Sequence, residues 1–137
     1  MCETISRGDK RGNMDKAELK NFLLIYDKIK DAIETGKEYA YIRRCNRKQK
    51  IMFPEWLYKL PDYIEDILKS EDNPLFTYII RESMIFGKTD SKVLQELPLS
   101  ESSFYRYKRQ FENRLYDLFI VEGYVSREEI FSTKITE

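Results

Sequence analysis

Apolar positions recur at intervals of three and four along most of this chain. Leu19, Phe22, Leu23, Tyr26, Ile29 and Ile33 form the first stripe. It predicts one amphipathic helix from about Asp15 to Thr35-Gly36, where glycine supplies a left-handed cap. Tyr39, Tyr41 and Ile42 fit either a short strand or a helical turn. No Asn-Gly or Asp-Gly pair occurs in the chain, so residues 37–50 read as loop or ragged helix rather than as a hairpin. Prolines then mark helix starts: Pro54 before Glu55–Tyr58, Pro61 before Asp62–Leu68, and Pro74 before Leu75–Phe86. The missing proline N–H costs nothing in a first helical turn. Asn73 is the cap for the last of these helices and Gly87 its stop.

The next stretch is denser in signals. Asp90 is placed to cap a short helix, Ser91–Leu97. Pro98 and Leu99 form a tight connection, and Ser100 caps a long helix from Glu101 to about Glu122, stopped by Gly123. Ser126 with Glu129 makes a capping box for a last short helix. No internal repeat occurs. The prediction is an all-α chain of about five to seven helices. It divides into a disordered polar arm over 1–13, an N-terminal helical part over 14–72, a part over 73–123 that carries the short and long helices, and a short helix and tail over 124–137.

Composition narrows the chemistry. The 137 residues hold 42% hydrophobic and 35% charged residues, enough for one packed core under a highly charged surface. Lys+Arg and Asp+Glu are 24 each, which excludes a uniformly basic nucleic-acid binder but not a basic face. Histidine is absent. Catalysis by a Ser-His or Cys-His pair is thereby excluded, and no metal site or cofactor is expected. Without glycine-rich phosphate loops, nucleotide hydrolysis has no support either. Asp62, Glu65 and Asp66 lie near one helix face, but acids in a first turn are explained by the helix dipole. An enzyme is therefore not expected. The two cysteines, Cys2 and Cys45, suggest no disulfide framework, no apolar run is long enough to cross a bilayer, and the first residues lack a signal-peptide pattern. These features point to the cytoplasm.

Charge is sorted along the chain. Arg43, Arg44, Arg47, Lys48 and Lys50 fall within ten residues that hold no acid. The long helix shows the other sorted pattern. Phe104, Tyr107, Phe111, Leu115 and Leu118 make one apolar stripe, and Ser102, Arg106, Arg109 and Asn113 lie opposite, flanked by Ser103 and Tyr105. Val93, Leu94, Leu97 and Leu99 give the short helix and turn an apolar face. A helix-turn-helix needs this arrangement, with the first half of its second helix free to enter a major groove. Arg bonds guanine O6 and N7 as a fork, while Ser and Asn bond bases or phosphates. Ser102, Ser103, Arg106 and Arg109 are thus expected to face the bases, while Tyr105, Lys108 and Arg114 suit the phosphate backbone. A solvated basic helix face has the same pattern, so the pattern leaves both readings open.

The segment Val93-Leu94-Gln95-Glu96-Leu97-Pro98-Leu99-Ser100-Glu101-Ser102-Ser103-Phe104-Tyr105-Arg106-Tyr107-Lys108-Arg109 resembles the region-four helix-turn-helix of sigma factors. It is most similar to the version in phage late-gene transcriptional regulators of the ArpU and RinA type. The Ser-Phe-Tyr-Arg-Tyr-Lys-Arg run carries the likeness, which reaches back more weakly through Asn73–Phe86. The resemblance implies a sequence-specific double-stranded DNA-binding regulator of transcription, of phage or prophage origin, working in a bacterial cytoplasm with DNA and RNA polymerase as partners. Where many such motifs place glycine before the turn, this chain has Pro98, which cannot take a left-handed conformation and predicts a turn of another shape.

The Arg43–Lys50 run is a second candidate for gripping phosphate. Tyr39, Tyr41 and Trp56 beside it fit either base stacking or the core. Monomer and homodimer both stay open, since two copies of a helix-turn-helix read two half-sites. Two rival functions fit the same elements: a small terminase subunit that binds packaging DNA, and a helical phage protein that blocks a host protein.

Overall fold

The computed structural model describes residues 14–126 and 129. Over these residues the chain runs α1 (Lys16–Leu24), α2 (Tyr26–Glu34), β1 (Tyr39–Arg44), β2 (Arg47–Met52), a 3₁₀ turn (Glu55–Lys59), α3 (Leu60–Ser70), α4 (Pro74–Ile80), a π-helical turn (Arg81–Ile85), α5 (Asp90–Gln95) and α6 (Glu101–Val121). The protein is mostly helical, with one two-stranded antiparallel sheet. The proposed arm over 1–13 and most of the last short helix lie outside the described residues. Of that helix, the Glu129 N–H donates to Ser126 Oγ at 3.2 Å.

The single first helix predicted from the apolar stripe is two helices. Asp15 caps α1 by accepting from the Glu18 N–H at 2.7 Å. The helix then breaks at Ile25, whose φ and ψ are −115° and 10°. At 100° per residue an unbroken helix would carry Ile25 off the stripe of Leu19, Leu23, Tyr26 and Ile29. The break turns it inward, and all five are buried. α2 ends as predicted on Gly36, at φ 78°. The Lys37 N–H reaches back to the Ala32 carbonyl at 3.0 Å, the longer hydrogen bond of a left-handed helix end.

The segment read as loop or ragged helix is a β-hairpin, the one departure among the described residues from the helical architecture expected. β1 and β2 pair in register from Tyr39↔Met52 to Arg44↔Arg47. The connection is Cys45-Asn46, with φ of 50° and 63°. Two left-handed residues in a two-residue loop match the right-handed twist of paired strands. Asparagine adopts that conformation more readily than most residues, so no glycine was needed at the second position. The turn signal was therefore too weak to see in the sequence.

α3 and α4 start as their prolines predict, with Pro54 opening only a 3₁₀ turn. Asn73 Oδ1 accepts from the Leu75 N–H at 2.9 Å. The predicted helix through Phe86 changes pitch midway. After Ile80 it widens into the π-helical turn, closed by the Phe86 N–H on the Arg81 carbonyl at 2.9 Å. Gly87 then reverses the chain at φ 76°.

α6 is the spine of the core. Phe104, Phe111, Leu115 and Phe119 are each 0% exposed along one of its sides. Phe119 meets Trp56, Tyr63 and Tyr124 edge to face at 5.3, 4.8 and 5.8 Å, and Phe76 of α4 meets Phe111 at 6.2 Å. Aromatic pairs in this geometry add to the area they bury. The start of the described chain is held to the end of α6 by the Met14 N–H, which donates to the Tyr124 carbonyl at 2.9 Å.

Gly87 and Gly36 offer an internal comparison. Both have positive φ, but a Cβ at Gly87 would lie 2.5 Å from Asp27 Oδ2, whereas one at Gly36 would meet nothing within 4 Å. Gly36→Ala should cost about 1–2 kcal/mol from backbone conformation alone. Gly87→Ala should cost more, because Asp27 must also move. Urea denaturation of both variants checks this, and equal losses would refute the close approach of α2 to the π-helical turn.

Candidate nucleic-acid interface

α4, the π-helical turn, α5 and α6 bring the chemistry-bearing residues of the C-terminal half together. α5 is capped by Thr89, whose Oγ1 accepts from the Lys92 N–H at 3.3 Å. Asp90, the predicted cap, instead forms an ion pair with Lys108 of α6 at 2.8 Å. This contact fastens the start of the short helix to the long one. Val93 is 0% exposed beneath them. Between the helices, none of Glu96–Ser100 has a positive φ, so the turn around Pro98 is made without a left-handed residue. That fits the different turn shape the proline predicts.

A second tie closes the other side. Lys88 Nζ lies 2.7 Å from Glu82 of the π-helical turn and 3.3 Å from Glu96 just after α5. The Tyr78 hydroxyl donates to the same Glu96 at 2.7 Å. The Glu96 carboxyl is held below its ordinary value, first by the Tyr78 hydroxyl and then by Lys88. Lys88 is held above its ordinary value, first by its hydrogen bond to Glu82. These residues were missed in the sequence because the partners are six to eighteen positions apart and no periodic pattern joins them.

The first half of α6 stands over this frame. Ser100 caps it, its Oγ accepting from the Ser103 N–H at 3.2 Å. The Ser100 hydroxyl also lies 3.2 Å from that of Ser102 and 3.1 Å from that of Ser103, so three hydroxyls cluster at the helix start. Phe104 and Phe111 anchor the inner side, with Tyr107 half-buried and its hydroxyl accepting from the Asn73 amide at 3.1 Å. Ser102, Tyr105, Arg106, Arg109 and Asn113 are exposed, and Ser103 is half-buried. The Arg106 guanidinium lies 5.8 Å from the Tyr107 ring centre. Among the described residues, neither Arg106 nor Arg109 pairs with a carboxylate.

The two edge cations are engaged within the fold. Lys108 is held by Asp90 and sits 5.7 Å from the Phe104 ring. Arg114 pairs with Glu71 at the end of α3, donates to Ser70 Oγ at 3.3 Å and covers the Phe76 ring at 5.2 Å. Both lock α6 in place. Beside the exposed face a cleft of about 580 Å³ opens between α1, α2 and α6. Lys20, Asp27, Tyr105, Arg109 and Glu112 are among the residues lining it. Both signs of charge meet there. Of the acids considered as a cluster, Glu65 faces Arg81 at 3.5 Å.

Arg43, Arg44, Arg47, Lys48 and Lys50 are all exposed on the hairpin. The structure does not gather them beside the first half of α6. The hairpin packs on α2, and the Trp56 that follows it meets α6 at Phe119, about 22 Å along the helix from Phe104. The basic run lies on the hairpin, which packs on α2, and Arg106 and Arg109 lie on α6. No described helix is long and apolar enough to cross a membrane. No protein-family model, curated protein or solved structure matches the chain.

The Lys88–Glu96 tie makes a pH-dependent prediction. A carboxyl more acidic folded than unfolded contributes stability above the ordinary carboxylate range and loses it as pH falls through the folded value. The stability gap between the parent and Glu96→Gln should be widest at neutral pH and close in acid. Urea denaturation across that range reads it. A gap that persists in acid would show that the charge on Glu96 does no work there.

Proposed function

We propose that α5, the Pro98 turn and α6 form a helix-turn-helix that binds double-stranded DNA and reads its sequence, and that the protein regulates transcription. One observation carries this reading: the first half of α6 is one-sided. Its inner side is fully buried on Phe104 and Phe111, while Ser102, Arg106, Arg109 and Asn113 line an outer side with no acid ion-paired to its arginines. An unpaired guanidinium on a rigid helix keeps its donors for a base edge or phosphate. Ser102, Arg106, Arg109 and Asn113 face the bases in this arrangement. Ser103 and Tyr105 flank them, and Lys108 and Arg114 hold the reading helix at its docking angle. The resemblance of Val93–Arg109 to phage late-gene regulators supports the same class and makes RNA polymerase a second partner.

Two substitutions separate reading from holding. Arg106→Ala should leave thermal stability unchanged, weaken binding to a preferred duplex by about 1–3 kcal/mol and loosen base preference. Arg114→Ala should lower stability by about 1 kcal/mol and affect binding through the fold. Thermal melts and duplex titrations of the two variants check this. An Arg106→Ala protein that binds every duplex as the parent does would remove Arg106 from the reading face.

A further inference from the structure

The hairpin has two unlike faces. Directly paired residues of antiparallel strands point to the same side, so Tyr39, Tyr41 and Arg43 share a face with Met52, Lys50 and Lys48. The opposite face carries Ile42, which is buried against the body, with Ala40 and Ile51 half-buried. The outer face is open. Tyr39 is 42%, Tyr41 53% and Met52 58% exposed, which gathers on one face three of the seven exposed large apolar side chains among the described residues. Three cations and no acid share that face. Among the described residues no carboxylate pairs with any hairpin cation. Like charges are set directly across the strands at Arg43↔Lys48 and Arg44↔Arg47, which weakens a hairpin that has no counter-ion.

We infer that this outer face binds single-stranded DNA, with unpaired bases on the tyrosine rings and phosphates on the lysines and Arg43. The charge calls for a polyanion, and the exposed rings call for one with flat apolar groups. The ring centres are 5.6 Å apart and meet at 78°. Stacked bases in a duplex strand are spaced at about 3.4 Å, so bases on these two rings must come from an unstacked strand. Lys50 Nζ lies 4.4 Å from the Tyr39 ring centre and Lys48 Nζ 5.1 Å from that of Tyr41. An exposed ammonium on a ring is held more weakly than a stacked base, so a base displaces it toward the adjoining phosphate. A ribose 2′-hydroxyl adds nothing that these rings and cations select, and the bases and phosphates that a deoxy strand already carries are sufficient for this face. The inference is independent of the duplex-reading role of α6.

The test is anisotropy of a short labelled oligothymidylate, with a duplex and an oligouridylate of equal length as comparison arms, on the full chain. Tyr39→Ala/Tyr41→Ala should weaken oligothymidylate binding at least about 10-fold, while Tyr39→Phe/Tyr41→Phe keeps it. Lys48→Gln/Lys50→Gln should flatten the salt dependence. Arg106→Ala/Arg109→Ala should leave single-strand binding intact, so failure of the α6 reading and failure of this one are distinguishable. Three results would overturn the inference: no oligothymidylate binding at low salt, parent-like binding by the alanine variant, or a preference for the duplex or the ribose strand that the same tyrosines control.

Discussion

The buried side of α6 is the constraint on which everything else rests. Phe104, Phe111, Leu115 and Phe119 are fully covered, and the aromatic contacts of Phe119 and Phe76 gather the 3₁₀ turn, α3 and α4 around the same helix. Truncating one such side chain in a core typically costs several kcal/mol, more than any surface ion pair returns. A helix held that firmly along one side has a fixed outer side. Its side chains are presented at set angles, which base-edge recognition requires.

Electrostatics then works by local sorting within a neutral whole. Cations inside the frame are paired: Lys108 with Asp90, Lys88 with Glu82 and Glu96, Arg114 with Glu71. Cations on the two outward surfaces, Arg106 and Arg109 on α6 and the hairpin set, are without carboxylate partners among the described residues. Net charge conceals that division. The described acids pair with lysines and arginines that hold the fold.

Local signals in the sequence were legible wherever one residue decides the backbone. Asn73 and Ser100 cap the helices they were expected to cap, and Gly36, Gly87 and Gly123 stop helices with positive φ. The apolar stripe of α6 was readable because its period is carried by large residues. Signals failed where tertiary packing chose between local options. Thr89 and Asp90 can both cap α5, and the attraction of Lys108 decided for Thr89. Burial of Ile25 broke the first helix. Cys45-Asn46 made a hairpin turn without glycine, hiding the alternation of Tyr39-Ala40-Tyr41-Ile42 that places two tyrosines on one face. The engagement of Arg114 by Glu71 joins α6 to the end of α3, and no helical spacing encodes it.

Reading of duplex sequence by the outer face of α6, as proposed, has a direct experimental test. Selection of duplex fragments from the source genome, at low and at near-physiological salt, tests it most directly when the parent and Arg106→Ala/Arg109→Ala proteins are run side by side. If α6 reads sequence, the parent enriches a few fragments, the enrichment survives the higher salt, and the double variant loses it. Binding by both proteins to all fragments alike, or no binding at either salt, would contradict it and redirect the arginine face to an acidic protein partner.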